Sequence, residues 1–360
     1  MEDGVELCWI NRETGNKSMK CSVIVPVYNM AGDGKLEYCL NSLIHQTLKD
    51  LEIIAVDDAS TDNSLEILRQ YELDYPERFK VIHYSQNKRQ GGAKNEGLKI
   101  ASGEWIGFID SDDWVTPDFY EKLIWKAEET GADVVGCDYN LVSEHTMEVG
   151  TVIKNNTDDQ TGPCTLEQHK KLVMRPGSMV IKVYRHSMIR EHGLNFPEGI
   201  FYEDNCAGTV WMLYCRRFEK INEPMYYYYQ HNVSTVHYIS EAKCRDRMKS
   251  CELLVMECAS RGFLEEYRTE IEFRFAELYY ITTLFSYMSG VKRRKLSFLA
   301  ELRDGMKTYF PDFQENEYYQ KEIGAEEKKL AALHMKSNLG FFLYYVALNT
   351  ARKWKKKLRG

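Results

Sequence analysis

The stretch "WIGFIDSDDW", residues 105–114, passes from an apolar run into three carboxylates, Asp110, Asp112 and Asp113. An apolar run of this length is typical of a buried strand, and the acids mark its end. Like charges this close repel and raise one another's pKa, so a fold keeps them only where a cation, hydrogen bonds or open water offset the repulsion. An isolated cluster of this kind is most often a solvated loop, so its neighbours decide its role.

Strand-length apolar runs and helical patterns alternate on both sides of this stretch. The runs are rich in Val and Ile, and the segments between them space apolar residues at i, i+3 and i+4. This alternation predicts an α/β fold with a mainly parallel sheet. The predicted strands cover 21–25, 51–56, 80–84, 105–109 and 133–137, and the predicted helices cover 36–46, 60–73 and 91–101.

Polar segments follow the first four predicted strands: "PVYN" 26–29, "DDAST" 57–61, "SQN" 85–87 and "DSDD" 110–113. Ligands bind at the carboxyl ends of the strands in open α/β sheets, so these segments are expected to converge on one site. Mg²⁺ and Mn²⁺ prefer carboxylate oxygen, take one or two protein carboxylates and leave the other positions to water and phosphates. The pattern therefore predicts a metal and diphosphate site.

Three other kinds of site fit the same stretch less well. An EF-hand needs Gly at loop position 6, where this chain has Val115 after Trp114. An aspartyl-phosphate enzyme ends its first strand in a carboxylate, whereas this strand ends at Pro26. A dinucleotide-binding fingerprint needs three spaced glycines after the first strand, but only Gly32 and Gly34 occur there.

Charge and cysteine usage limit the class of protein. The 360 residues carry a net charge of −7, but nine basic residues and no acid follow Glu327, so residues 1–327 carry −16. An acidic body of this kind makes nucleic acid a poor partner. The ten cysteines contain no C-x-x-C pair and the first twenty residues contain no apolar core, so we expect a reduced, cytoplasmic chain without a signal peptide.

Five ordered blocks resemble glycosyltransferase family 2, inverting enzymes with the GT-A fold. The resemblance implies metal-assisted transfer, with Mn²⁺ or Mg²⁺, of a sugar from a UDP-sugar to a saccharide hydroxyl, as in capsule, O-antigen or teichoic-acid synthesis. A non-catalytic nucleotide-sugar-binding or scaffold protein is the alternative. The blocks are "VIVPVYN" 23–29, "CLNSLIHQT" 39–47, "EIIAVDDASTDNS" 52–64, "GGAKNEGLKIASGEWIGFIDSDDW" 91–114 and "FPEGIFYEDN" 196–205.

The resemblance also implies a set of donor-binding residues. Tyr28 would stack on the base, Asp58 would accept a hydrogen bond from uracil, and Asp112 would bind the metal with Asp110 and His231. Lys94 stands where the family more often has Arg, which leaves a point charge instead of a bidentate contact. The nucleotide-sugar site would comprise Pro26, Tyr28, Asn29, Asp57, Asp58, Lys94, Asn95, Asp110, Ser111, Asp112, His231 and Ser234.

By the same resemblance Asp204 is the general base that deprotonates the acceptor hydroxyl, with Glu203 beside it. A structural alternative makes Asp204 the N-cap of the following helix, and Asp57 the cap of the helix predicted from residue 60. Asp113 and Lys182 would face the acceptor. The acid that the family carries two residues after the Asn of "PVYN" is Ala31 here, and Asp33 is the candidate replacement.

The chain is expected to divide into a lead (1–20), a catalytic domain (21–237, with a nucleotide half 21–137 and an acceptor half 138–237), a helical domain (238–337) and a basic amphipathic tail (338–360). The C-terminal helices are predicted at 244–259, 265–288, 295–308, 316–335 and 338–357.

The tail has an apolar run, Leu339 to Leu348, about half the length that spans a bilayer, followed by six basic residues. This pattern predicts peripheral binding to an anionic membrane on its cytoplasmic face and a lipid-linked acceptor; a docked core helix with a solubilising tail is the alternative. Whether the chain forms an oligomer stays open.

Overall fold

The computed structural model describes residues 19–230 and 239–357, so His231 and Ser234 lie outside the described residues. The chain forms two compact units, Met1–Ser234 and Thr235–Gly360. The described part of the first unit mixes strands and helices, and that of the second is helical. The finer division of the first unit into nucleotide and acceptor halves stays a prediction.

The first unit contains every strand and helix predicted for it. Its strands are β1 Cys21–Val27, β2 Leu51–Asp57, β3 Phe79–His83, β4 Trp105–Phe108, β5 Trp114–Val115, β6 Val134–Val142, β7 Thr151–Ile153, β8 Gly162–Pro163, β9 Lys182–Arg185 and β10 Arg217–Tyr229. Its helices are α1 Lys35–Ile44, α2 Ser64–Asp74, α3 Arg89–Ile100, α4 Phe119–Thr130, α5 Leu166–Met174, α6 His186–Glu191 and α7 Glu203–Met212.

The sheet runs in the order β3-β2-β1-β4-β9-β6-β10-β5, with β7 on β6 and β8 on β10. β3, β2, β1 and β4 are mutually parallel, and the register pairs Val27 of β1 with Asp57 of β2. Every residue of β1 and β2 is buried, which explains why both read as continuous apolar runs. The parallel register brings the polar segments after these strands to one edge of the sheet.

Helix α3 packs directly on the centre of this block. A Cβ atom at Gly97 would lie 2.5 Å from Cγ2 of Ile24, so only glycine allows the helix to approach β1 this closely. The first turn of α3, at residues 89–92, therefore sits at the same sheet edge as the polar segments that follow β1, β2 and β4.

The tyrosine run at 226–229 forms the end of β10. Tyr226 and Tyr227 are buried, and the Tyr227 ring stacks on Trp114 with centroids 5.8 Å apart. β10 is parallel to β6, with irregular register between Ile221 and Tyr226. The strand thus reaches the loop that carries the three aspartates.

The second unit is built from α8 Glu241–Ser260, α9 Arg268–Phe275, α10 Thr283–Gly290, α11 Leu296–Tyr309, α12 Glu317–Glu322, α13 Ala325–Lys336 and α14 Asn338–Lys357, with a π-helical turn Ala276–Thr282 between α9 and α10. The single helix predicted at 316–335 is wrong: Ile323 and Gly324 are extended, and the Glu327 carboxylate accepts a hydrogen bond from Gly324 N at the start of α13. None of the described helices is long and apolar enough to cross a bilayer.

Candidate active site

The loops after β1 and β2 interlock through side chains. Asn29, with φ 53°, accepts from Thr61 N through its Oδ1 at 2.7 Å, and its own N–H donates to the Ser60 hydroxyl at 3.0 Å. Ala31 N donates to Asp62 Oδ2 at 3.0 Å. These bonds occupy residues 60–62, which is why α2 begins at Ser64 and not at residue 60.

The two aspartates after β2 have different surroundings. The buried Asp57 carboxylate accepts from Ser60 N at 3.3 Å and lies 2.8 Å from Nδ1 of His83, so it ties the loop to β3 and does not cap α2. Asp58 Oδ1 accepts from Lys88 N at 2.6 Å. Burial raises the pKa of Asp58 although backbone N–H groups oppose the rise. Tyr28 is exposed beside this loop, and its contact with a base stays a prediction.

A buried ion pair joins α3 to α7. Lys94 Nζ lies 2.8 Å from Glu203 Oε1, and the two side chains are 3% and 5% exposed. Burial lowers the pKa of Lys94, but the charges of Glu203, Asp110 and Asp204 more than offset this effect, so its pKa is raised. Lys94 is therefore a fixed positive charge that faces carboxylates from two other parts of the sequence.

Asn95 anchors the turn that leads into α7. Its amide donates to Phe196 O at 2.9 Å and to Glu198 Oε1 at 2.8 Å, and its Oδ1 accepts from Phe196 N at 2.9 Å. A Cβ atom at Gly91 would lie 2.0 Å from Pro197 O, so this turn packs directly on the start of α3. Asn95 thus positions the turn, a role that we did not predict.

Asp110 is influenced by three other carboxylates and by Lys94. Burial, together with the charges of Asp112, Glu203 and Asp204, raises the pKa of Asp110 to about 6, and the charge of Lys94 opposes the rise. The Asp204 side chain is exposed, but the protein around it reduces its solvation and so raises its pKa. The negative charge of Glu203 raises this pKa further. The structure therefore brings residues 94, 110–112 and 203–204 together, and their roles in binding and catalysis stay predictions.

Asp204 is not the cap of its helix. Tyr202, with φ 65°, occupies the N-cap of α7, and Glu203 and Asp204 lie in the first turn. A carboxylate in the first turn is favoured by the unpaired N–H groups and the helix dipole. The turn therefore presents two acids toward the Asp110 loop without using either as a cap.

Asp113 and Lys182, which we expected on the acceptor side, lie inside the protein. Asp113 accepts from the Tyr226 hydroxyl at 2.6 Å and from Tyr229 N at 2.8 Å, and burial raises its pKa well above the usual range. Lys182 Nζ donates to Pro176 O and Ser178 O, and burial lowers its pKa to about 7. The observed contacts of both residues hold loops in place, because buried polar groups need partners.

Some residues near the candidate site have contacts that the sequence did not predict. Asp62 reaches the backbone of Ala31, the position that lacks the family acid, whereas Asp33 adopts φ 64° on the exposed side of the same loop. Gln90 Nε2 lies 3.4 Å from Asp110 Oδ1.

Within the described residues, no group of three or more His, Cys, Asp and Glu side chains is arranged to hold a metal ion.

Comparisons with known proteins agree with this architecture. The family model described as Glycosyl transferase family 2 matches residues 22–192. The putative glycosyltransferase EpsH of Bacillus subtilis (strain 168) is 34% identical over 70% of this chain and 72% of its own length. The uncharacterized glycosyltransferase YibD of Escherichia coli (strain K12) is 34% identical over 61% of this chain, which spans 64% of that relative.

A solved structure also shares the fold. The structure of residues 1–349 of S. aureus TarS in complex with UDP aligns with a TM-score of 0.66 over 91% of this chain and 92% of that one. The aligned residues are 20% identical, so the likeness is one of fold.

The Lys94–Glu203 pair predicts a specific pattern of stability. We expect Lys94→Met to lower the free energy of unfolding by about 3–5 kcal/mol, because it leaves buried carboxylates uncompensated. The double variant Lys94→Met/Glu203→Gln should recover part of this loss. Urea denaturation at pH 7 measures both. Lys99→Met is the control: its Nζ lies 2.9 Å from Glu96 Oε1 but the side chain is 65% exposed, so the expected change is below about 1 kcal/mol. A Lys94 variant as stable as this control would contradict the interpretation.

Proposed function

The chain belongs to glycosyltransferase family 2 and has the GT-A fold, and from this premise we propose that it transfers a sugar, with inversion, from a UDP-sugar to a saccharide hydroxyl. The observation that carries the proposal is the meeting of Asp110, Asp112, Lys94 and the acids at 203–204 at the edge of the parallel strands. Ligands of open α/β folds bind at this edge. A donor and an acceptor can meet there within reach of one base.

The donor would lie along the loops after β1 and β2. The exposed Tyr28 ring offers a stacking surface, and Asp58 offers a carboxylate acceptor beside it. The choice of a uridine nucleotide is supported by the similar fold of TarS, whose structure contains UDP. Asn29 would act indirectly, because its side chain holds the loop that presents Tyr28.

Asp112 and Asp110 are the proposed metal ligands, with His231 a further candidate outside the described residues. The donor set fits Mn²⁺ or Mg²⁺. The charges of Asp112, Glu203 and Asp204 all act on Asp110, so a divalent cation would offset their repulsion. Such ions need only one or two protein carboxylates when phosphates supply further oxygens. When bound, the metal would stabilise the negative charge that grows on the departing diphosphate.

Asp204 is the proposed catalytic base. In a single displacement the acceptor hydroxyl attacks the anomeric carbon, the bond to UDP breaks on the opposite side, and the hydroxyl proton passes to the Asp204 carboxylate. Its raised pKa makes it a stronger base than an ordinary aspartate. Glu203 holds Lys94 through their ion pair and so fixes a positive charge near the leaving group.

The acceptor is proposed to be linked to lipid, because one face of α14 exposes apolar side chains that could bind a membrane surface. Leu339 and Leu343 are 54% and 59% exposed, and Val346 and Trp354 are exposed on the same side of the helix. Phe341 and Tyr345, on the opposite side, are buried. The sequence from Arg352 to Arg359 adds six basic residues, which anionic headgroups attract.

The base assignment predicts a defined pH profile. A raised pKa means that Asp204 takes up its proton at higher pH than the usual 3.8, so kcat/KM should fall with acid starting above that value. Asp204→Asn should lower UDP release from the best donor of a UDP-sugar panel by about 10²–10⁴-fold. UDP affinity, measured by calorimetry, should stay near wild type. Retained turnover would refute the base, and donor binding without turnover by the wild type would favour the non-catalytic alternative.

The assignment of Asp112 to the metal predicts that its removal weakens UDP binding only when the cation is present. Mn²⁺ should strengthen UDP binding to the wild type, and Asp112→Ala should remove most of this gain, because the carboxylate no longer fixes the ion against the diphosphate. Calorimetric titration of UDP with and without Mn²⁺ measures the difference. Asp312→Ala, at an exposed aspartate of the second unit, is the control and should keep the gain. Equal UDP affinity of the wild type with and without Mn²⁺ would overturn the assignment.

The membrane face is tested best by substitution, because deleting α14 would also remove the buried Phe341 and Tyr345. Replacing Leu339, Leu343 and Val346 by Ser should lower binding to phosphatidylglycerol vesicles by more than about tenfold, since each buried leucine contributes about 1.5–3 kcal/mol. Vesicle flotation measures the bound fraction.

Leu73→Ser, at a leucine 75% exposed on α2, is the control and should bind as the wild type does. Undiminished binding by the triple variant, or a wild type that does not float, would contradict membrane attachment.

A further inference from the structure

Two cysteines lie side by side at a sheet edge formed by β8 and β10. The antiparallel register pairs Pro163 with Arg217, and Cys164 N donates to Arg216 O at 2.8 Å. This pairing brings the Cys164 thiol next to that of Cys215, whose S–H donates to Arg217 O at 3.1 Å. Cys164 is partly exposed and Cys215 is buried, so a reagent would reach Cys164 first.

A histidine contacts both residues. His169 lies on α5, whose N-cap Thr165 directly follows Cys164. The His169 Nε2 atom is 2.9 Å from Cys215 O, and since a carbonyl oxygen can only accept, Nε2 carries the proton. The ring also hydrogen-bonds the Cys164 thiol. Cys164, Cys215 and His169 thus form a compact group, which we call the thiol pair and its histidine.

The contacts make the two thiols unequal. The contacts with Cys215 and then with His169 lower the pKa of Cys164 to about 6, although burial opposes the change. Burial and the neighbouring Cys164 raise the pKa of Cys215 well above its usual range. A thiolate is the nucleophilic form of cysteine, so Cys164 is placed to attack a disulfide. Cys215 is placed to supply a proton and then to react as the second thiol.

We propose that Cys164 is a modification site that reacts with low-molecular-weight disulfides, with Cys215 as the resolving thiol. This reaction is independent of sugar transfer, since neither cysteine belongs to the candidate active site. The other cysteines of the described residues are buried, and the pKa values of Cys21, Cys137, Cys251 and Cys258 are raised by burial. Inert, buried thiols are the usual case in protein cores.

The chemistry is ordinary thiol–disulfide exchange. The Cys164 thiolate attacks one sulfur of glutathione disulfide, the S–S bond of the reagent breaks, and one glutathione leaves as a thiolate that takes up a proton. Cys215 then loses its proton, attacks the Cys164 sulfur and releases the second glutathione. The two protein thiols lose two electrons and the reagent gains them. Because an S–S bond is about 2.05 Å long, the two sulfurs must move closer than hydrogen-bond contact.

Peptide mapping of the full chain tests the proposal. With limiting iodoacetamide at pH 7, we expect Cys164 to be alkylated at least about tenfold faster than any other cysteine within residues 19–230 and 239–357 of the folded wild type. After incubation with glutathione disulfide, non-reducing mass spectrometry should find a linked peptide that contains Cys164 and Cys215.

Variants separate the two steps. Cys215→Ser should stop at a glutathione adduct on residue 164, Cys164→Ser should give neither adduct nor link, and Cys251→Ser, a buried cysteine of α8, should behave as the wild type does. Near-ultraviolet circular dichroism checks that each variant is folded, and Cys164→Ala replaces Cys164→Ser if that variant is not. Alkylation of Cys164 no faster than of Cys251, or a link that omits Cys164, would overturn the proposal.

Discussion

The site depends on one buried ion pair between residues that are 109 positions apart in the sequence, Lys94 and Glu203. The pair fastens α3, which follows the polar loop of β3, to α7, which carries the proposed base. A charge with 3% exposure is stable only beside an opposite charge, so the position of α7 is tied to the electrostatics of the site. The same lysine also faces Asp110, which places the pair at the centre of the carboxylate cluster.

The three aspartates of the loop at 110–113 have different surroundings. Asp113 is turned inward and fixed by the Tyr226 hydroxyl and the Tyr229 N–H, so the end of β10 sets the shape of the loop. Asp110 faces Lys94, and the neighbouring carboxylates, Asp112 among them, raise its pKa. The loop therefore contains one aspartate that supports its shape and two that are proposed to bind the ligand, a difference that the sequence D-S-D-D does not reveal.

The thiol pair and its histidine lie in the same unit but arise from another part of its sheet. Cys215 lies in the connection from α7 to β10, and Cys164 lies between β8 and α5. Oxidation would thus join the segment between β8 and α5 to the connection between α7, which carries Asp204, and β10, which carries Tyr226. The proposed base and the proposed modification site are separate chemistries in the same unit.

The sequence alone determined the α/β class, the parallel strands and the polar segments at their carboxyl ends. These features follow from local patterns: fully buried strands must be continuously apolar, and parallel connections need helices between them. The convergence of residues 94, 110–112 and 203–204 was also foreseen, through family resemblance rather than through local physics. The helix break at Gly324 was missed because the apolar spacing continues across it.

Only the tertiary structure decided which polar groups are buried and which residues are their hydrogen-bond partners. Asp113 and Lys182 look like surface residues in the sequence, yet their partners come from distant strands and loops. Asn95 and Asp62 gained positioning roles in the same way, and the pairing of Cys164 with Cys215 needed the register of β8 on β10. The physical reason is common to all of them: a buried polar group is stable only with a partner, and partners distant in sequence are chosen by packing.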